Sequence, residues 1–112
     1  MLFQHHPARR LLSLVVFSLV LHLPAESVAA DFYVATNGDD ANPGTLKKPF
    51  ATLVRARDEV RTVRAGGDKR VTVHLRGGVY YLSEPLVFTA DDSGSARHPV
   101  VYRAYADEKP TL

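Results

Sequence analysis

The sequence predicts a mainly β chain coiled into short stacked rungs, with one helix ahead of the rungs and a removable leader ahead of both. Three observations carry this prediction. Residues 71–88, VTVHLRGGVYYLSEPLVF, read as three short strands, VTVHL, VYYL and LVF. The tight corners Arg76-Gly77-Gly78 and Ser83-Glu84-Pro85 separate them, a spacing that suits a coil of short turns and not long hairpins. Residues 52–64 carry apolar side chains at helical spacing, and residues 11–23 are a compact apolar run near the N-terminus.

The leader has three parts. Residues 1–10 end on Arg9 and Arg10, LLSLVVFSLVLHL follows, and Pro24 precedes the small residues up to Ala30. This is the layout of a secretory signal peptide cleaved after Ala29 or Ala30. The apolar run falls well short of the roughly 20 residues needed to span a bilayer, so a membrane anchor is disfavoured. No cysteine follows the run to carry a lipid, and His22 within it has no assigned role. The expected division is residues 1–30 as signal peptide and residues 31–112 as the mature domain.

In the mature part, DFYVA at 31–35 is the opening strand and TNGDDANPGTLKK at 36–48 is a loop. Asn42-Pro43-Gly44 is a turn with a mechanism: proline presets the first central position and glycine accepts a positive φ at the second. Over residues 52–64 the expected helix has Thr52 as its cap, and Leu53, Val54, Val60 and Val63 form the apolar stripe behind Phe50. Arg55 with Glu59 and Asp58 with Arg61 are side-chain pairs, and Gly66-Gly67 ends the helix. Such a helix can cover the apolar end of a terminal rung. Val71, Val73 and Leu75 point to one face while Thr72, His74 and Arg76 point to the other, and Tyr80 and Tyr81 fall on opposite faces. Residues 89–99 form a loop, residues 100–105 a strand, and residues 106–112 stop where another strand is expected, as in a chain cut short without a terminal cap.

Composition excludes several functions. With 112 residues there is room for one domain, and removing a leader that holds Arg9, Arg10 and Glu26 leaves twelve Lys and Arg against eleven Asp and Glu. Those charges are interspersed, so no basic field for nucleic acid exists. Cysteine is absent, which excludes disulfides, and no His/Asp/Glu cluster has metal-ligand spacing.

No catalytic, cofactor-binding or metal-binding residue is assigned from the sequence. Asp39-Asp40 and Asp91-Asp92 are the adjacent acid pairs, but both lie in turn-rich segments where aspartate bonds its own backbone. Asn37, Asp39, Asp40 and Asn42 offer oxygen ligands, yet their spacing departs from the calcium-loop pattern and no glutamate closes it. Gly77-Gly78 is a corner and not a phosphate loop. His74 is read as a solvated strand histidine, because no acid or nucleophile lies at a local spacing that would orient it. Tyr81 is a candidate for sugar stacking but lacks a second platform nearby in sequence.

DFYVATNGDDANPGT, KPFATLVRARDEVR, VTVHLRGGVYYLSEPLVF and PVVYRAYADEKPTL resemble, in order and spacing, the N-terminal region of secreted right-handed parallel β-helix proteins of the pectate-lyase-like superfamily. The resemblance covers residues 31–112. It implies an N-terminal capping helix and the first turns of a parallel β-helix, preceded here by the signal peptide. It further implies a polysaccharide lyase or glycoside hydrolase type of protein acting on an extracellular polysaccharide, with calcium as a cofactor in some members. Catalytic residues of such proteins lie on central rungs, so none is carried over here, and this chain is expected to be inactive by itself. The alternatives are a non-catalytic adhesive β-helix at the cell surface and a truncated fragment without a function of its own.

Overall fold

The structure is a computed structural model that describes residues 29–112. Residues 1–28, which hold all of the expected leader except Ala29 and Ala30, lie outside the described residues. The elements are β1 (Ala29–Val34), α1 (Leu53–Ala65), β2 (Arg70–Leu75), β3 (Gly78–Val79), a 3-10 turn (Ala90–Ser93), β4 (Val100–Ala104) and β5 (Pro110–Thr111). No helix among the described residues is long and apolar enough to cross a membrane.

Every strand pairing is parallel. β1, β2 and β4 form one sheet in that order, and β3 with β5 forms a second. Parallel neighbours need a crossover, and α1 provides the one between β1 and β2. The register sets Val73 between Phe32 and Tyr102, and Leu75 between Val34 and Ala104, so the alternation of each strand gives the sheet one apolar face. Against that face pack Leu53, Ala56 and Val60 of α1, with Phe50 fully buried between helix and sheet.

Local chemistry sets the helix. Thr52 is extended and accepts a hydrogen bond from Arg55 N, while the Gly66 and Gly67 N–H groups donate to the carbonyls of Val63 and Arg64 respectively. The anticipated pairs form, with Arg55 at 2.9 Å from Glu59 and Arg61 at 4.0 Å from Asp58. Leu53 and Val60 of the expected stripe are buried, but Ala56 joins them in place of Val54, which is 39% exposed. Ala56 wins because only a small side chain lets the helix approach the sheet closely.

The loop at residues 36–50 folds back along the outer edge of β1. Tyr33 N donates to Gly44 O at 2.8 Å, and Phe50 N donates to Tyr33 O at 2.9 Å. Gly44 has φ +85°, as the turn requires, and a Cβ there would stand 2.5 Å from the Phe50 ring.

Two expected strands are not formed as read. Of VYYL only Val79 is strand, joined by Gly78 from the expected corner, and LVF at 86–88 is irregular chain. A strand exists only where another chain segment pairs with it, and the Val87 carbonyl instead accepts from the guanidinium groups of Arg57 at 3.0 Å and Arg61 at 3.4 Å. The expected strand after residue 105 is the short β5. Tyr80 and Tyr81 diverge as anticipated, at 6% and 91% exposure.

Candidate functional site

The polar face of the three-stranded sheet gathers side chains far apart in sequence. In-register pairing sets Tyr33 beside His74 and His74 beside Arg103. The Tyr33 and His74 rings stack with centroids 4.6 Å apart and planes at 16°. Tyr105 stands edge-on to both, 5.9 Å from Tyr33 and 6.2 Å from His74. His74 Nε2 lies 3.0 Å from Asp31 Oδ1, with the imidazole only 19% exposed. The expected solvated histidine is thus corrected: an acid 43 residues away orients it, brought in by the parallel register.

Beside this group the Arg76 guanidinium sits 4.9 Å above the Tyr105 ring and makes two hydrogen bonds to Glu108, at 2.8 and 3.0 Å. Glu108 also accepts from Gly77 N, and these donors hold its carboxyl below the usual range. Arg103 projects from the same face, exposed and without an acidic partner among the described residues. Together these form an aromatic wall edged by a carboxylate, an imidazole and a free cation. Such a wall can stack on the flat apolar side of a ligand ring while hydrogen-bonding its rim.

The residues singled out from the sequence serve mainly structural roles. Asp39 accepts from Ala41 N at 2.8 Å, a local turn bond. Asp40 receives Ala51 N, Thr52 N and the Thr52 hydroxyl at 2.8, 2.9 and 2.7 Å, tying the loop to the start of α1. Asn42 Nδ2 donates to Pro49 O. The polar groups of Asp39, Asp40 and Asn42 are thus directed at different backbone and hydroxyl partners, and no group of three or more acids, histidines or cysteines among the described residues is placed to hold a metal.

Asp91 is exposed, whereas Asp92 is buried, receiving Arg61 through two bonds of 2.7 Å and Thr89 N at 2.7 Å. The Arg61 guanidinium, above all, holds the Asp92 carboxyl far below the usual carboxylate range. This pair borders a cleft of about 480 Å³ between α1 and the 3-10 turn, in whose walls Arg61, Arg64 and Asp92 are already paired. A further cluster, missed in the sequence, joins Asp68 to His98 Nδ1 at 2.9 Å, the Ser95 hydroxyl at 3.0 Å and Arg64 at 2.7 Å. The Ser95 hydroxyl and the His98 ring both address the carboxylate, and His98 meets Ser95 Oγ through its backbone N–H and not its ring, so the cluster staples residues 95–98 to the helix end and forms no relay. Asp31, Tyr33, Tyr105 and Glu108 also escaped the sequence reading; the one signal that could have found them was the alternation of strands 31–35 and 100–105 laid in parallel beside 71–75.

No family model matches the chain. Pectate lyase PEL9 of Emericella nidulans is 37% identical over 81 residues, 72% of this chain but 18% of that protein. A solved structure described as a glycoside hydrolase superposes with a TM-score of 0.68 at 34% identity, over 72% of this chain and 14% of its own. A rhamnogalacturonan lyase superposes with a TM-score of 0.50 at 28% identity, over 71% and 21%. The chain therefore spans less than a fifth of the length of the curated relatives it matches. Parallel strands, a single helix between the first two of them, and likeness in both sequence and structure agree: the chain is a relative of the pectate-lyase-like β-helix proteins.

Proposed function

We propose that residues 31–112 are the capping helix and first rungs of a secreted β-helix protein of polysaccharide lyase or glycoside hydrolase type, and that residues 1–30 are its export leader. The contribution of these residues is to hold an extracellular polysaccharide, without turnover of their own. The observation that carries this reading is the Tyr33–His74–Tyr105 wall, edged by Asp31 and Arg103, on a chain similar to lyases and a hydrolase. The succession β1, β2, β4 and, beside it, β3, β5, each one step further along, supports stacked rungs. Hydrolysis of a glycosidic bond generally needs two carboxyl groups flanking it, one of them free to give a proton. Asp40, Asp92 and Glu108 are each engaged by backbone, hydroxyl or arginine donors, so none of these three is free for that part. The same observation makes a non-catalytic adhesive β-helix the second reading.

The test uses the 112-residue chain with its own leader in a secreting bacterial host. The product is expected outside the cytoplasm with Ala30 or Asp31 as its first residue, which trims β1 but leaves Asp31 opposite Thr72. It should be retained on an immobilised pectin, rhamnogalacturonan or xylan, and Tyr33→Ala should lose that retention. Neither unsaturated products nor new reducing ends should accumulate. Turnover would overturn the binding role, retention indifferent to Tyr33→Ala would remove the sheet face from it, and an intact leader would overturn export.

A further inference from the structure

Where residues 79–82 pass the start of α1, a second cavity of about 230 Å³ opens between Thr36, Thr52, Leu53, Val79, Tyr81 and Leu82. No charged side chain lines it. Tyr81 stands at its rim almost fully in water, and Val79 and Leu82 beside it are 50% and 43% exposed. Tyr80 contributes no polar group, because its hydroxyl is turned inward to the carbonyls of Val34 and Arg76. The polar lining is therefore the Thr36 hydroxyl, which has no partner among the described residues, and the Thr52 hydroxyl, which already donates to Asp40 and accepts from Arg55 N.

We propose that this cavity is a separate carbohydrate subsite that takes one uncharged pyranose ring, its C–H face laid on Tyr81 and its hydroxyl rim on Thr36. Each part of the assignment follows from the lining. A contiguous exposed patch of aromatic and aliphatic side chains around a concavity marks a ligand groove more often than plain surface. A sugar ring combines an apolar face with a rim of donors and acceptors, which suits a cavity lined by an exposed aromatic ring and a free hydroxyl. A carboxylate-bearing sugar would lose water here with no cation to receive it, so the uncharged ring is preferred. The volume lies below the roughly 300 Å³ at which pockets for larger ligands begin, so one ring fits and an oligosaccharide does not. None of these residues belongs to the sheet face of the preceding proposal.

The test is an amide-resolved NMR titration of the secreted chain with methyl glucoside, methyl xyloside and methyl galacturonoside. The two neutral glycosides should shift Thr36, Thr52 and residues 79–82. The galacturonoside should bind about tenfold more weakly, for lack of a counter-charge. Tyr81→Ala should weaken the neutral glycosides about tenfold, while Tyr81→Phe keeps the affinity within about twofold, since stacking uses the ring and not the hydroxyl. At so exposed a position neither variant should alter the circular dichroism spectrum. Absence of shifts at these residues, indifference to Tyr81→Ala, or equal binding of the charged glycoside would overturn the subsite. Tyr33→Ala separates the two proposals: it should abolish retention on polysaccharide and leave this titration unchanged, and if retention is indifferent to Tyr33→Ala while the titration persists, only the sheet-face reading falls.

Discussion

Asp92 keeps its charge while buried, and a buried carboxylate is tolerated only where donors replace the water it has lost. Arg61 and the Thr89 backbone supply three such donors within 2.7 Å, joining α1 to the 3-10 turn. Replacing Asp92 by Asn keeps the shape and removes the charge, and is expected to cost about 1.5–3 kcal/mol, the range for hydrogen bonds to charged groups. A shift of the urea midpoint with unchanged slope would report it. Tyr102 is the opposite case. Its hydroxyl is buried without a partner among the described residues, and burial pushes it up to about 12, so it stays neutral throughout the physiological range. On the polar face, His74 was visible in the sequence as an outward strand residue, but its partner Asp31 was not, since no local spacing links residues 43 apart.

At the level of elements, the loop at 36–50 and the helix depend on contrasting glycines. Gly44 has positive φ and no room for a Cβ beside Phe50, whereas Gly66 has φ −83° and its nearest contact, Val63 O, is at an ordinary 3.6 Å. Gly44→Ala should therefore cost more than the roughly 1–2 kcal/mol of left-handed strain alone, because the Phe50 ring must also move. Gly66→Ala should be neutral or stabilise by up to about 1 kcal/mol, through a stiffer unfolded chain. Thermal melts of the two variants side by side check the contrast, and equal losses would refute it. The helix itself was legible because its cap, its i to i+4 pair and its stop all act within a turn or so of chain. Its rotation was not, since Val54 and Ala56 compete for the sheet and only the sheet decides.

For the molecule as a whole, three carboxylates with lowered pKa bind segments together. Asp92 joins α1 to the 3-10 turn, Asp68 joins the helix end to residues 95–98, and Glu108 joins the loop before β5 to the corner after β2. For each, the folded state favours the ionised form, in Asp68 chiefly through His98 and in Glu108 chiefly through Arg76. Their contribution is thus complete above the unfolded values of 3.8 for Asp and 4.5 for Glu, and is lost as pH falls through the lower folded values. Stability should hold level down to about pH 5 and decline below about pH 4, with Asp92→Asn flattening the lower end of the decline. At the other extreme the buried tyrosines Tyr80 and Tyr102 favour their neutral form in the fold, so stability should fall again as pH rises above their ordinary value of 10. Urea midpoints measured across pH test both limbs, and a midpoint that rises on acidification would contradict the assignment of the three acids.

The features legible in the sequence rest on residues that lie within a few positions of one another along the chain. The alternation of Val71, Val73 and Leu75, the Thr52 cap, the Arg55–Glu59 pair and the turn at Pro43-Gly44 each rest on contacts between near neighbours, so each could be read directly. The tertiary structure alone decided which segments pair. It left residues 80–88 largely without a strand partner, and it joined Asp31 to His74, Arg61 to Asp92 and Arg76 to Glu108 across 43, 31 and 32 residues. The physical reason is register: a parallel sheet sets side by side whatever its crossovers deliver, and a shift of one residue in a crossover turns every polar side chain to the other face. The candidate site consists almost entirely of such cross-strand neighbours, and for that reason it became visible only with the fold.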